Sequence, residues 1–186
     1  PSKEYLFDAY GRRVTYLRIS VTDTCNLSCI YCKRGKGLAP AAGMLGADEI
    51  IRIATVASSL GIEKIRITGG EPLIRRDIVE IIEGISSING IRDLSLTTNG
   101  IFLKELAYSL KNAGLGRINV SLDTLRPSRF QRISGCSLFE RVIDGVRESK
   151  RAGIEPVKIN VVVMKGINDD EIEDFVDFSI REAITV

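Results

Sequence analysis

The sequence predicts an α/β fold in which βα units repeat around a parallel sheet. Short runs rich in β-branched residues alternate with longer segments whose apolar residues recur at helical spacing, and parallel strands need such intervening helices. Gly61, Gly90, Gly114 and Gly153 each follow a helix-type run and precede an apolar residue leading to the next strand, where a left-handed C-terminal cap favours glycine. No linker or low-complexity tract divides the 186 residues, so one domain over 1–186 is expected.

After a turn at Ala9-Tyr10-Gly11, strands are expected over 14–21, 64–68, 93–98, 117–122 and 157–164. Ile78, Val79, Ile81, Ile82 and Ile85 mark one intervening helix, and Leu103, Leu106, Ala107 and Leu110 another. Asp77 with Glu80, Ser137 with Glu140, and Asn168 with Glu171 have the spacing of capping boxes at helix starts. One long irregular stretch, 33–46, is rich in Gly, Ala and Pro, and its Met44-Leu45 pair is expected to anchor it over the first helix. Residues 182–186 resemble the start of a sixth strand.

The strands alternate. Leu17 and Ile19 oppose Arg18 and Ser20; Ile65 and Ile67 oppose Arg66 and Thr68; Leu94 and Leu96 oppose Ser95 and Thr97; Ile118 and Val120 oppose Asn119 and Ser121; Ile159 opposes Lys158 and Asn160. With helices on the apolar face, the other face becomes a wet or ligand-filled cavity carrying Arg18, Arg66 and Lys158, cations that call for an anionic ligand. An antiparallel sheet with one solvated face is the alternative that the same alternation allows.

The 26 basic and 24 acidic side chains leave a net charge of +2, too little to draw the chain to nucleic acid. No segment approaches the ~18 consecutive apolar residues of a membrane span, and no secretory leader opens the chain, so a cytoplasmic location is expected. There is no histidine, which excludes Ser-His-Asp and Cys-His nucleophiles, a histidine base and His-ligated zinc.

Cys25, Cys29 and Cys32 lie just beyond the first strand, where α/β proteins place ligands. Three thiolates this close can surround a small metal centre. Structural zinc wants a fourth ligand, and the remaining thiol, Cys136, reads as incidental. An iron-sulfur cube with one open iron suits three thiolates.

The C-x3-C-x2-C loop with Tyr31 before its last cysteine, together with Gly69-Gly70-Glu71-Pro72, resembles the radical S-adenosylmethionine (radical SAM) superfamily. Within it, segments 17–23, 65–73, 96–100, 117–123 and 157–162 resemble the GTP 3',8-cyclases (MoaA type) of molybdenum cofactor biosynthesis. The resemblance implies a partial (βα)6 TIM-like barrel of the radical SAM type, here with about five strands and the start of a sixth. It implies a 4Fe-4S cluster on Cys25, Cys29 and Cys32, and S-adenosylmethionine contacts from Tyr31, Gly70 and Ser121. Glu71 either orients the cofactor's amino group or stabilises the turn before Pro72. GTP would meet Arg18, Arg66, Thr97 and Lys158. Arg75-Arg76 and Lys33-Arg34-Gly35-Lys36 are each either phosphate contacts or surface charge.

The activity implied is that of a lyase which converts GTP to a cyclic dehydro-GTP through a 5'-deoxyadenosyl radical, the first step of molybdopterin formation. No catalytic side chain is needed beyond cluster and cofactor. A flavodoxin-like or ferredoxin-like one-electron donor is expected, no nucleic-acid or membrane partner, and room is left for a homodimer. Relatives of this type continue into a C-terminal region with a second 4Fe-4S cluster, so the chain reads as a truncated core domain. Two other readings stay open: a radical enzyme acting on a peptide or other small molecule, and a non-catalytic metal-binding fragment.

Overall fold

In the computed structural model, residues 5–32 and 43–186 are described. The Lys33-Arg34-Gly35-Lys36 patch lies outside them. Five strands, β1 (Tyr16–Ser20), β2 (Lys64–Thr68), β3 (Asp93–Thr98), β4 (Arg117–Ser121) and β5 (Val157–Asn160), form one sheet in sequence order with every neighbour parallel. The antiparallel alternative is thereby overturned. Helix α1 (Ala47–Ser59) joins β1 to β2, α2 (Ile78–Ser86) joins β2 to β3, and α3 (Leu103–Asn112) joins β3 to β4. Helices α4 (Pro127–Ser134) and α5 (Phe139–Arg151) precede β5, and α6 (Ile172–Glu182) follows it.

The core fills the space between the helices and one sheet face. Ile65, Ile67, Leu96, Ile118 and Val120 from the strands are fully buried, as are Ile81, Ile82 and Ile85 of α2. Each such isoleucine contributes roughly 1.5–3 kcal/mol of transfer free energy. Helix α5 closes tightly on α3 because position 145 is glycine: a Cβ there would stand 2.7 Å from Leu103 Cβ and 2.9 Å from the Gly100 carbonyl oxygen.

The strand ends differ from expectation for reasons that lie elsewhere in the chain. Val14 belongs to the N-terminal hairpin, its amide donating to the Leu6 carbonyl at 2.8 Å, so β1 starts at Tyr16. Strand β5 stops at Asn160 because the Val162 amide donates to Asp123 Oδ1 and the Met164 amide to Asn168 Oδ1. Beyond α6, Thr185 makes a single parallel bridge to Lys158, the position a sixth strand would take.

None of the three expected capping boxes forms. Asp77 stands at the start of α2 but gives its carboxylate to Arg75; α5 begins at Phe139, past Ser137; and Asn168 turns its amide to Asp123, Val162 and Met164. At α1 the Gly46 amide donates to Glu49 Oε2 at 2.8 Å. Met44 and Leu45 do not anchor their segment, since both side chains are exposed; the hold is the Leu45 carbonyl, which accepts from Arg75.

Candidate active site

In-phase parallel pairing sets Arg18 beside Arg66, Thr97 beside Asn119, and Asn119 beside Lys158. Side chains at paired positions point to the same face, so one concave face carries the cations that the alternation predicted. Asn119, with its amide oxygen turned to Arg66, accepts from both terminal guanidinium nitrogens at 3.1 and 3.3 Å. Arg66 Nε lies 3.4 Å from Ser95 Oγ, and the guanidinium lies over the Tyr16 ring. All of these partners are neutral. Among the described residues, the ion pairs engage other cations, such as Arg117 with Asp93 and Arg129 with Asp170, and none involves Arg18, Arg66 or Lys158. The Thr97 hydroxyl on the same face is buried and has no hydrogen-bond partner among the described residues. Uncompensated positive charge beside an orphaned hydroxyl has the chemistry of an anion site.

The cysteine loop leaves the sheet at the C-terminal end of β1. The Gly70 amide donates to the Thr22 carbonyl at 2.7 Å and the Glu71 amide to the Thr24 carbonyl at 2.8 Å, which lays the Gly69-Gly70 turn against the approach to Cys25. A Cβ at Gly69 would lie 2.6 Å from the Thr22 carbonyl oxygen, and one at Gly70 closer still to that of Thr24. Packing of main chain on main chain already demands both glycines.

Glu71 is fully buried. Its carboxylate accepts from the Leu73 amide (3.0 Å), the Thr98 hydroxyl (2.6 Å) and the Asn99 amide (2.6 Å). Its hydrogen bonds are those of the turn-stabilising role, with both oxygens engaged within the protein. Burial pushes its carboxyl up, against the lowering effect of those three donors.

Arg75 is also engaged within the protein. Its guanidinium donates to the Val21 carbonyl (2.7 Å), the Leu45 carbonyl (2.8 Å) and both Asp77 oxygens (2.6 and 2.8 Å), bracing the end of β1 against the start of α2. Arg76 is exposed.

Within the loop, the Leu27 amide donates to Cys25 Sγ at 3.4 Å, and Asn99 Nδ2 lies 4.0 Å from the same sulfur while donating to Asn26 Oδ1 at 2.7 Å. The Ser28 and Ile30 amides donate to the carbonyls of Ser134 and Ile133, each at 2.9 Å. Tyr31 donates its hydroxyl to Asp123 Oδ2 at 2.5 Å. Burial pushes Cys25 up, and burial together with the nearby Asp123 charge pushes Cys29 up to about 11. Burial and then the Asp123 hydrogen bond also raise Tyr31. A cavity of about 40 Å³ beneath the loop is lined by Cys29, Tyr31, Ser121, Asp123 and Phe130 among others. The 510 Å³ hollow beside Lys150 and Thr185 touches none of the expected site residues among the described ones.

Among the described residues no three His, Cys, Asp or Glu side chains converge as a ligand set. The donor chemistry nonetheless fits thiolate-held iron: three thiols share eight residues, and N–H groups face Cys25 Sγ as they do around cluster sulfurs. Raised in this way, the Cys25 and Cys29 thiols hold their protons at neutral pH, so loading iron on them would release those protons.

The model of the radical SAM superfamily matches residues 19–179, a span that takes in the three cysteines, the Gly69-Gly70 turn and β2 to β5. This chain belongs to the radical SAM superfamily. Its sheet of five parallel strands with flanking helices is the partial (βα)6 barrel of radical SAM proteins. Among relatives, a GTP 3',8-cyclase of Thermodesulfovibrio yellowstonii is 53% identical over 171 residues, covering 90% of this chain and 53% of that protein. One of Geobacter sulfurreducens is 48% identical over 183 residues, covering 97% and 56%. Among solved structures, Streptococcus suis SuiB bound to S-adenosylmethionine aligns with TM-score 0.76 at 25% identity, over 91% of this chain and 39% of that one. The chain spans about half the length of the curated relatives it matches.

Of the expected radical SAM site residues, Gly70 and Tyr31 sit together around the cysteine loop, and Ser121 lines the cavity below it. Arg18, Arg66, Thr97 and Lys158 share the concave face. The sequence assigned no tying role to Asp123, Asn99 or Asn168, whose side chains join the loop and strand ends. No helix among the described residues is long and apolar enough to cross a membrane.

Proposed function

We propose that this chain carries the radical SAM core of a GTP 3',8-cyclase, converting GTP to a cyclic dehydro-GTP in the first step of molybdenum cofactor biosynthesis. The observation that carries the reading is the concave face on which, among the described residues, Arg18, Arg66 and Lys158 have no carboxylate partner and the Thr97 hydroxyl has no hydrogen bond. A triphosphate supplies the missing negative charge, and it supplies it where guanidinium and ammonium donors stand within one parallel register. A radical enzyme acting on a peptide has no need of three such cations.

In this reading Cys25, Cys29 and Cys32 hold a 4Fe-4S cluster, and Tyr31, Gly70 and Ser121 contact S-adenosylmethionine. When bound, the cluster supplies the one electron that cleaves the cofactor's carbon–sulfur bond, delivered from a flavodoxin-like or ferredoxin-like donor. The protein's own part is positional. Arg18, Arg66 and Lys158 neutralise and hold the triphosphate, Thr97 bonds the nucleotide, and the helix-packed sheet keeps water from the reacting groups.

The test is anaerobic reconstitution with iron and sulfide, reduction, and addition of S-adenosylmethionine with and without GTP, reading 5'-deoxyadenosine. GTP-stimulated cleavage with saturable GTP binding is expected. Cleavage indifferent to GTP, without GTP binding, would sink the cyclase reading and leave the radical SAM one intact.

A further inference from the structure

Asp123 lies two residues beyond β4 and is buried, yet no cation pairs with it among the described residues. Its carboxylate instead joins two segments remote from each other in sequence. Oδ2 accepts the Tyr31 hydroxyl at 2.5 Å, and Oδ1 accepts the Val162 amide at 2.8 Å. Its carbonyl accepts from Asn168 Nδ2 at 2.6 Å, and the same amide group donates to the Val162 carbonyl at 2.9 Å. The segment after β5 is thus held twice. Among the described residues, the main chain of the segment with Cys29 and Cys32 is held by the Ser28 and Ile30 amides, which bond the end of α4, and by the Cys32 amide, which bonds the Cys29 carbonyl. The phenolic hydroxyl is the last side-chain anchor before Cys32. A short O–H···O bond to a buried carboxylate belongs to the strong, geometrically specific class of hydrogen bonds.

We propose that Asp123 is a positioning residue for the cysteine loop, acting through the Tyr31 hydroxyl to hold Cys29 and Cys32 against the ends of β4 and β5. The proposal rests on the reading that these cysteines carry the cluster. It also gives Tyr31 a use for its side chain separate from any cofactor contact made by its main chain or ring.

The experiment compares Tyr31→Phe, Asp123→Asn and the double variant with the wild-type chain. Amide hydrogen exchange over residues 27–32 is measured on cluster-free protein, and S-adenosylmethionine affinity and the cofactor-induced change in the electron paramagnetic resonance of the reduced cluster are measured after reconstitution. Each single variant is expected to speed exchange at Ile30 and Cys32 and to weaken cofactor binding, each by about ten- to a hundred-fold, the size of a hydrogen bond to a charged group. The double variant should be no worse than Tyr31→Phe at the loop, because one bond is lost in both. Exchange at Val162 should rise only where Asp123 is changed. Wild-type exchange and spectrum in Tyr31→Phe, or effects that multiply in the double variant, would overturn the proposal. If Asp123→Asn fails to fold, Tyr31→Phe decides alone, since it removes a single hydroxyl. Wild-type protein that takes up no iron defeats the cluster reading, while the exchange comparison still decides the clasp.

Discussion

Replacing Lys158 by Met separates a ligand-binding cation from a structural one. Lys158 is half-buried on the concave face and has no hydrogen bond or ion pair of its side chain among the described residues. Among the described residues its removal therefore breaks no hydrogen bond or ion pair, and Met keeps the length of the aliphatic stem. Retaining a partly desolvated ammonium is unfavourable, and the other positive charges on the face add repulsion to it. Folding stability in Lys158→Met is expected to stay within about 0.5 kcal/mol of wild type or to rise. Binding should move the other way. A charge-assisted contact to phosphate contributes about 1.5–3 kcal/mol, which is about a ten- to 150-fold loss of GTP affinity. The assay is calorimetric titration with GTP and with guanosine, alongside urea denaturation of the same preparations. GTP affinity unchanged, or an equal loss for guanosine, would refute the assignment of Lys158 to the triphosphate. A stability loss above about 2 kcal/mol would show that the ammonium has a structural partner.

Arg66→Met should differ by costing stability as well, about 1–2 kcal/mol in urea denaturation, because it strips the buried Asn119 amide of its guanidinium partner. Gly70→Ala forces a methyl into the Thr24 carbonyl; a loss of about 2 kcal/mol or more is expected, with lower iron uptake on reconstitution because the same contact seats the approach to Cys25. The Arg75 guanidinium, foremost through its hydrogen bonds, holds the Asp77 carboxyl below its usual value of 3.8. With the folded value depressed, the pair's stabilisation is present above about that unfolded value and is lost as pH falls through the lower folded one. Urea midpoints against pH should therefore converge for wild type and Asp77→Asn in acid and diverge near neutrality; a constant offset would contradict the pairing. In Glu71, burial raises the carboxyl above 4.5, so its contribution runs oppositely, present below the unfolded value and lost as pH rises through the folded one. Glu71→Gln should flatten that decline in a thermal melt series.

The amino-acid sequence by itself determined whatever depends on neighbours in the chain. Two-residue alternation placed Arg18, Arg66, Thr97 and Lys158 on one face before any coordinates, and strands 64–68 and 93–98 were legible to the residue. The glycines after the helices take positive φ, as at Gly90 and Gly114. The cysteine spacing and the Gly69-Gly70 turn sufficed for the superfamily. Tertiary structure decided where polar side chains spend their hydrogen bonds. Asp77, Ser137 and Asn168 had the spacing of caps, but Asp77 pairs with Arg75, α5 starts later, and Asn168 serves Asp123 and Val162. Glu71 turns inward to Thr98 and Asn99, and Arg75 braces two carbonyls. The physical reason is range. Backbone propensity and side-chain alternation act over a few residues, whereas a buried carboxylate or guanidinium is satisfied by whichever donors and acceptors the packed elements bring to it. That is why the partners of Asp123, which ties residue 31 to residue 162, were not legible in the sequence and are plain in the fold.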